Sequence, residues 1–124
     1  MKILFADDEL KLHVIMDLWL KRNNHQVTTV RDGKEALEKL RQSNFDCLIS
    51  DVNMPEIDGM ELVTQSLLLD NPPRLIILLT SRCDMEKLRQ KFDASRVHIF
   101  NKPFSPEKLT QLIEELDKQP GTVI

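Results

Sequence analysis

The chain has 124 residues, 41% of them hydrophobic and 30% charged, with a net charge of −3. One domain of this size buries about two-thirds of the surface its unfolded chain exposes, so it folds without a metal or a disulfide framework. The acidic balance gives no footprint for nucleic acid or an anionic membrane, and no apolar run approaches about 18 residues, so neither direct nucleic-acid binding nor a membrane span is expected. Cys47 and Cys83 are too few for a disulfide framework and lack metal-ligand spacing. Met1-Lys2 leads straight into a strand without a signal-peptide pattern, which makes the cytoplasm the expected compartment.

Lys2-Ile3-Leu4-Phe5-Ala6 reads as a first strand, with Asp7-Asp8-Glu9 directly behind it. Leu12, Ile15, Met16 and Trp19 then recur at spacings of three and four and predict a helix whose inner stripe they form, closed by Asn23-Asn24. Gln26 to Val30 is a short β-branched run and a second strand. Asp32-Gly33 marks a turn, and Ala36, Leu37 and Leu40 give the next helix its inner face before Ser43-Asn44. Cys47-Leu48-Ile49 is a third apolar run, and this strand ends at Asp51. Glu56-Ile57-Asp58-Gly59 reads as a loop, and Met60, Leu62, Val63 and Leu67 outline a third helix that Asn71-Pro72-Pro73 forbids from continuing.

Arg74 to Leu79 is the strongest strand; its five successive large aliphatics predict a central strand covered on both faces, ending in Thr80-Ser81. Asp84 to Phe92 reads as a weakly apolar helix with Met85, Leu88 and Phe92 inward. Val97 to Phe100 is a fifth strand, followed by Asn101-Lys102-Pro103-Phe104. Ser105-Pro106-Glu107 starts a last helix with proline at its first position, and Leu109, Leu112, Ile113 and Leu116 are its buried stripe. Five alternating β-α units predict an α/β fold, a parallel sheet with helices on both faces. The expected domain spans 1–118, and 119–124 is a tail or the start of a linker.

In a parallel sheet the C-terminal strand ends share one edge, where open α/β sheets bind their ligands. Asp7-Asp8, Asp51, Thr80 and Lys102 all follow strands. Each alone has an ordinary structural role, such as a turn residue, a helix cap or a solvated charge. Delivery by four separate segments to one edge argues for a site. Clustered carboxylates repel unless a cation relieves them, and Mg²⁺ prefers such oxygen ligands with several retained waters. His13, His25 and His98 fall in different elements, so a Zn²⁺ site is not indicated. With a lysine and a hydroxyl beside the cation the site suits a phosphoryl group, and an aspartate can accept one as an acyl phosphate. No glycine-rich nucleotide loop is present.

These residues resemble the receiver domain of two-component response regulators. The likeness rests on Asp7-Asp8, on Asp51 with Met54-Pro55 and Gly59 behind it, on Thr80-Ser81 and on Lys102-Pro103-Phe104, and it runs from Lys2 to about Lys118. It implies a flavodoxin-like (βα)5 three-layer sandwich with a five-stranded parallel sheet in the order 2-1-3-4-5. It implies that Asp51 accepts a phosphoryl group from a histidine kinase or phosphotransfer protein in a phosphorelay. Asp8 and Asp51 would ligate Mg²⁺ by side chain, Asn53 by its carbonyl and Asp7 through water. Lys102 would pair with phosphoryl oxygens, Thr80 would donate its hydroxyl, and Ser81 a backbone N–H. Asn53 and Arg82 would flank the path of attacking water and so bear on the lifetime of the phosphoryl group. The Lys102–Pro103 peptide is cis in that family. Movement of Thr80 and a strand-5 residue would switch the surface of helix 4, strand 5 and helix 5 toward a downstream protein or a C-terminal output domain. The family carries an aromatic residue three before the lysine, where this chain has Ile99, and the Asp93-Ala94-Ser95-Arg96 approach to strand 5 lacks the family's small Gly-Ala turn.

The resemblance implies no turnover enzyme, only self-phosphorylation and self-dephosphorylation of Asp51. A phosphatase of the haloacid dehalogenase type uses the same inventory, but its nucleophile follows the first strand in a DxDx[TV] pattern that Asp7-Asp8-Glu9-Leu10 does not fit. A receiver-like adaptor that is never phosphorylated is the other alternative, and every acidic, hydroxyl and basic position being filled speaks against it.

Overall fold

Strands and helices alternate along the chain as β1 (Lys2–Ala6), α1 (Leu10–Arg22), β2 (Gln26–Val30), α2 (Gly33–Gln42), β3 (Cys47–Asp51), α3 (Gly59–Ser66), β4 (Leu75–Thr80), α4 (Met85–Lys91), β5 (Val97–Asn101) and α5 (Pro106–Lys118). The computed structural model describes residues 1–81, 84–102 and 104–118. All strand pairs are parallel and the order is β2-β1-β3-β4-β5, as the resemblance implies. Among the described residues no helix is long and apolar enough to cross a membrane.

Strand alternation sorts the core into two layers. Leu4, Leu48, Ile76 and Leu78 point to the side covered by Ala36, Leu37 and Leu40 of α2, Leu62 and Val63 of α3, and Leu88 of α4. Ile3, Phe5, Ile49, Ile77 and Leu79 point to the other side, against Met16 and Leu20 of α1 and Leu109 and Ile113 of α5. β4 is buried along its whole length, as its run of aliphatics requires. It lies one strand in from the edge; β3 holds the centre.

Two turn signals prove to be helix caps. Asp32 accepts the Glu35 N–H at 2.7 Å and Asp58 accepts the Glu61 N–H at 2.9 Å, so each satisfies a free donor at a helix start. α3 stops at Ser66, well before Asn71-Pro72-Pro73. There the Ser66 hydroxyl donates to the Val63 carbonyl, and Leu68 and Leu69 make only tight three-residue turns.

α1 is rotated from its expected setting. His13, Met16 and Leu20 are its buried residues, whereas Ile15 is 39% exposed and Trp19 is only half-buried. The helix carries apolar residues on every side, so its periodicity leaves the phase open, and the fit of His13 against Phe5 belongs to tertiary packing. The same rotation leaves Leu10 (54%), Val14 (70%) and Leu18 (58%) exposed along one face.

Candidate functional site

The strand ends do converge. Asp7 follows β1 and is fully buried, with its N–H donating to the Val30 carbonyl at 3.1 Å and its Oδ1 accepting the Glu9 N–H at 2.8 Å. Asp8 beside it is exposed, and Asp51 at the end of β3 is buried. One carboxylate oxygen from each of Asp7, Asp8 and Asp51 lies within 4.8 Å of the others. Lys102 reaches in from the end of β5: its Nζ is 3.2 Å from Asp51 Oδ1 and 3.5 Å from Asp7 Oδ2. Its backbone is held too, because the Lys102 N–H donates to the Thr80 carbonyl at 2.7 Å.

Burial pushes the Asp51 carboxyl above its usual range; Lys102 only partly offsets this, and the neighbouring charge of Asp7 adds to it. The Asn53 backbone N–H acts in the same direction as Lys102. Burial alone would lower the Lys102 ammonium, but the carboxylates of Asp51 and Asp7 outweigh it and hold the group above its ordinary value. Among the described residues Lys102 is the one cation ion-paired to the cluster, and it reaches two of the three carboxylates, which leaves the cluster short of positive charge. Hard oxygen donors at this spacing suit Mg²⁺, which takes one or two carboxylates and keeps its waters. Asp7 has both oxygens engaged within the protein, Asp51 is held by Lys102 and the Asn53 N–H, and Asp8 is the exposed carboxylate of the three.

Thr80 is buried at the end of β4, next to Leu79, which pairs in register with Asp51. Its Oγ1 is the one buried side-chain polar atom without a hydrogen-bond partner among the described residues. The β4–β5 register sets Leu78 beside Ile99 and Thr80 beside Asn101, so Ile99 and Thr80 share one face of the sheet. Ile99 is partly buried there and lines, with Arg89, Phe92, Val97 and His98, a groove of about 300 Å³ between α4 and β5. Ser81 follows Thr80 and is exposed; Arg82 and Pro103, with the peptide bond that joins Pro103 to Lys102, lie outside the described residues.

The β3–α3 loop folds back over Asp51. Gly59 N–H donates to the Val52 carbonyl at 2.8 Å, and a Cβ on Gly59 would sit 2.3 Å from the Asp51 carbonyl oxygen. The Ser50 hydroxyl donates to that same carbonyl at 2.9 Å. β3 is therefore packed closely behind the Asp51 carboxylate.

Two residues near the site escape a reading of strand ends alone. Arg31 follows β2 and shares a polar cleft with Asp8, Asp32, Glu35 and Pro55; its signal was a charge placed, like Lys102, just beyond a strand. His13 is the other: buried on α1, with Nε2 2.5 Å from the Asp7 carbonyl. A histidine among helical apolar residues carries no such signal.

Residues 3–114 match the response regulator receiver domain among protein families. The transcriptional regulatory protein ResD of Bacillus subtilis is 30% identical over 115 residues, which make up 93% of this chain and 47% of ResD. The chain spans about half the length of the curated relatives it matches. Among solved structures, the chemotaxis response regulator CheY4 of Vibrio cholerae superposes with a TM-score of 0.80 at 33% identity, covering 93% of this chain and 97% of CheY4. The receiver domain of a Pseudomonas aeruginosa sensor histidine kinase, with a magnesium ion coordinated in its active site cleft, superposes with a TM-score of 0.78 at 24% identity over 92% of this chain and 94% of that one, and so shares the fold.

Proposed function

This chain belongs to the response regulator receiver domain family, and from that premise we propose that Asp51 accepts a phosphoryl group from a phosphohistidine on a partner kinase or phosphotransfer protein. The observation that carries this reading is Asp51 itself: a buried carboxylate 3.2 Å from Lys102 and grouped with two further acids. An Asp51 oxygen forms the new O–P bond as the N–P bond of the phosphohistidine breaks. The bonding electron pair returns to the imidazole nitrogen. Asp8, Asp51 and the Asn53 carbonyl would hold Mg²⁺, with Asp7 acting through water; when bound, the ion neutralises charge on the phosphoryl oxygens. Lys102 stands close enough to follow those oxygens. The apolar face of Leu10, Val14 and Leu18 begins directly after the acid loop and offers the donor protein a place to dock. Labelling by acetyl [³²P]phosphate tests the acceptor: label appears with Mg²⁺ and not in EDTA, and a chain that takes no label with Mg²⁺ present sinks the reading.

Thr80 supplies the link to an output. Among the described residues its hydroxyl has no partner; a phosphoryl oxygen on Asp51 would give it one. Movement of Thr80 toward that oxygen frees space on the face it shares with Ile99, and the surface of α4, β5 and α5 shifts toward a downstream protein or an output domain. Thr80→Val removes, at nearly constant shape, a buried hydroxyl without a partner among the described residues. It raises the stability of the unphosphorylated chain by about 1 kcal/mol in urea unfolding. The switch has its own readout. Beryllofluoride, an acyl-phosphate mimic, moves the amide resonances of Ile99 and α4 in the wild type and leaves them in place in Thr80→Val. Unmoved wild-type resonances would remove the switch while leaving the acceptor role intact.

A further inference from the structure

We propose that His13 is a positioning residue, whose Nε2–H fixes the Asp7–Asp8 peptide and so aims the Asp8 carboxylate at the cation. This rests on the reading that the acid cluster holds Mg²⁺.

His13 lies on α1, is only 8% exposed, and packs edge-on against Phe5 with ring centroids 5.8 Å apart. Its Nε2 is 2.5 Å from the Asp7 carbonyl oxygen. A carbonyl can only accept, so Nε2 must carry the proton. That carbonyl belongs to the peptide joining Asp7 to Asp8, two of the three clustered acids. The other side of Asp7 is fixed as well, by its N–H on the Val30 carbonyl. β2 and α1 therefore hold the Asp7 backbone between them.

α1 has no side-chain cap of its own at Glu9. Its attachment to the acid loop is instead the Glu9 N–H on Asp7 Oδ1 together with His13 on the Asp7 carbonyl. Both bonds end on Asp7. Asp8 is exposed, so its carboxylate takes its direction from the backbone that carries it. Groups that orient ligands in this indirect way alter metal affinity without touching the ion. A histidine serving only as core filling against Phe5 would have no such influence.

Calorimetric titration of MgCl₂ into metal-free protein separates the two roles. His13→Leu keeps the bulk and loses the donor; His13→Gln puts an amide N–H where Nε2 stands; His13→Asn puts one too close to the backbone to reach. Mg²⁺ binding is expected about tenfold weaker in His13→Leu and His13→Asn and within about twofold of wild type in His13→Gln. Thermal unfolding in EDTA records any change in the fold separately. If His13→Leu does not fold, the Gln and Asn variants decide alone. Equal affinity across the series, or a Gln variant as weak as the Asn variant, overturns the positioning role while wild-type binding keeps the metal site. A wild type that binds no Mg²⁺ overturns the metal site, and this role with it.

Discussion

Asp51→Asn abolishes Mg²⁺-dependent labelling by acetyl phosphate, a loss of about two orders of magnitude or more, because an amide oxygen cannot serve as the nucleophile. The fold should survive the change and even gain from it. The folded chain raises the Asp51 carboxyl pKa, with the charge of Lys102 already counted against that rise. A group whose folded pKa is raised contributes stability below its unfolded value, in the ordinary carboxylate range, and loses it as pH rises through the folded value. At neutral pH in EDTA the ionised Asp51 therefore opposes folding, and neutral Asn does not. The expected pair of results is no label and a higher urea midpoint. Label retained by the variant would take Asp51 out of its role. A lower midpoint would mean that the Lys102–Asp51 pair outweighs burial.

The site was more legible than the helix packing around it, for a physical reason. Strand ends are marked by abrupt changes from aliphatic to polar, as at Ala6-Asp7, Ile49-Ser50 and Leu79-Thr80. A parallel sheet then sends every such end to one edge. Asp7, Asp8, Asp51 and Lys102 meet there as that logic requires. The face of α1 had no comparable mark. Leu12, Ile15 and Trp19 were as apolar as the residues that turned inward, and a buried histidine reversed the usual sorting. Asp32 read as a turn residue and Asp58 as part of a loop because the residues that start turns and loops also cap helices. Arg31 carries the same kind of mark as Lys102, a positive charge directly after a strand, without the family motif that singles Lys102 out.

The exposed face of α1 and the burial of His13 are two sides of one rotation. Turning the helix so that His13 reaches the Asp7 carbonyl carries Leu10, Val14 and Leu18 outward. A partner that covers those three residues would press on the same helix that holds the acid loop. On the proposed reading, donor docking and cation geometry would be linked through one side chain.

Gly59→Ala destabilises the fold by about 2–3 kcal/mol, although alanine is the better helix former by about 1 kcal/mol. Gly59 is the first residue of α3 and does not have positive φ, so its backbone does not require glycine. The space does. An added Cβ meets the Asp51 carbonyl oxygen at 2.3 Å and Val52 Cα at 2.8 Å, backbone atoms at the end of the central strand and directly after it. A flexible side chain could swing aside; a strand bonded on both edges cannot. Relief must come from α3 moving outward, which breaks the 2.8 Å bond from Gly59 N–H to the Val52 carbonyl, or from Asp51 moving, which disturbs the proposed acceptor. Urea unfolding reads the first effect as a lower midpoint at unchanged slope. The rate of labelling by acetyl phosphate, measured well below the transition, reads the second. A variant as stable as wild type would show that the β3–α3 loop yields more easily than its packing against β3 implies.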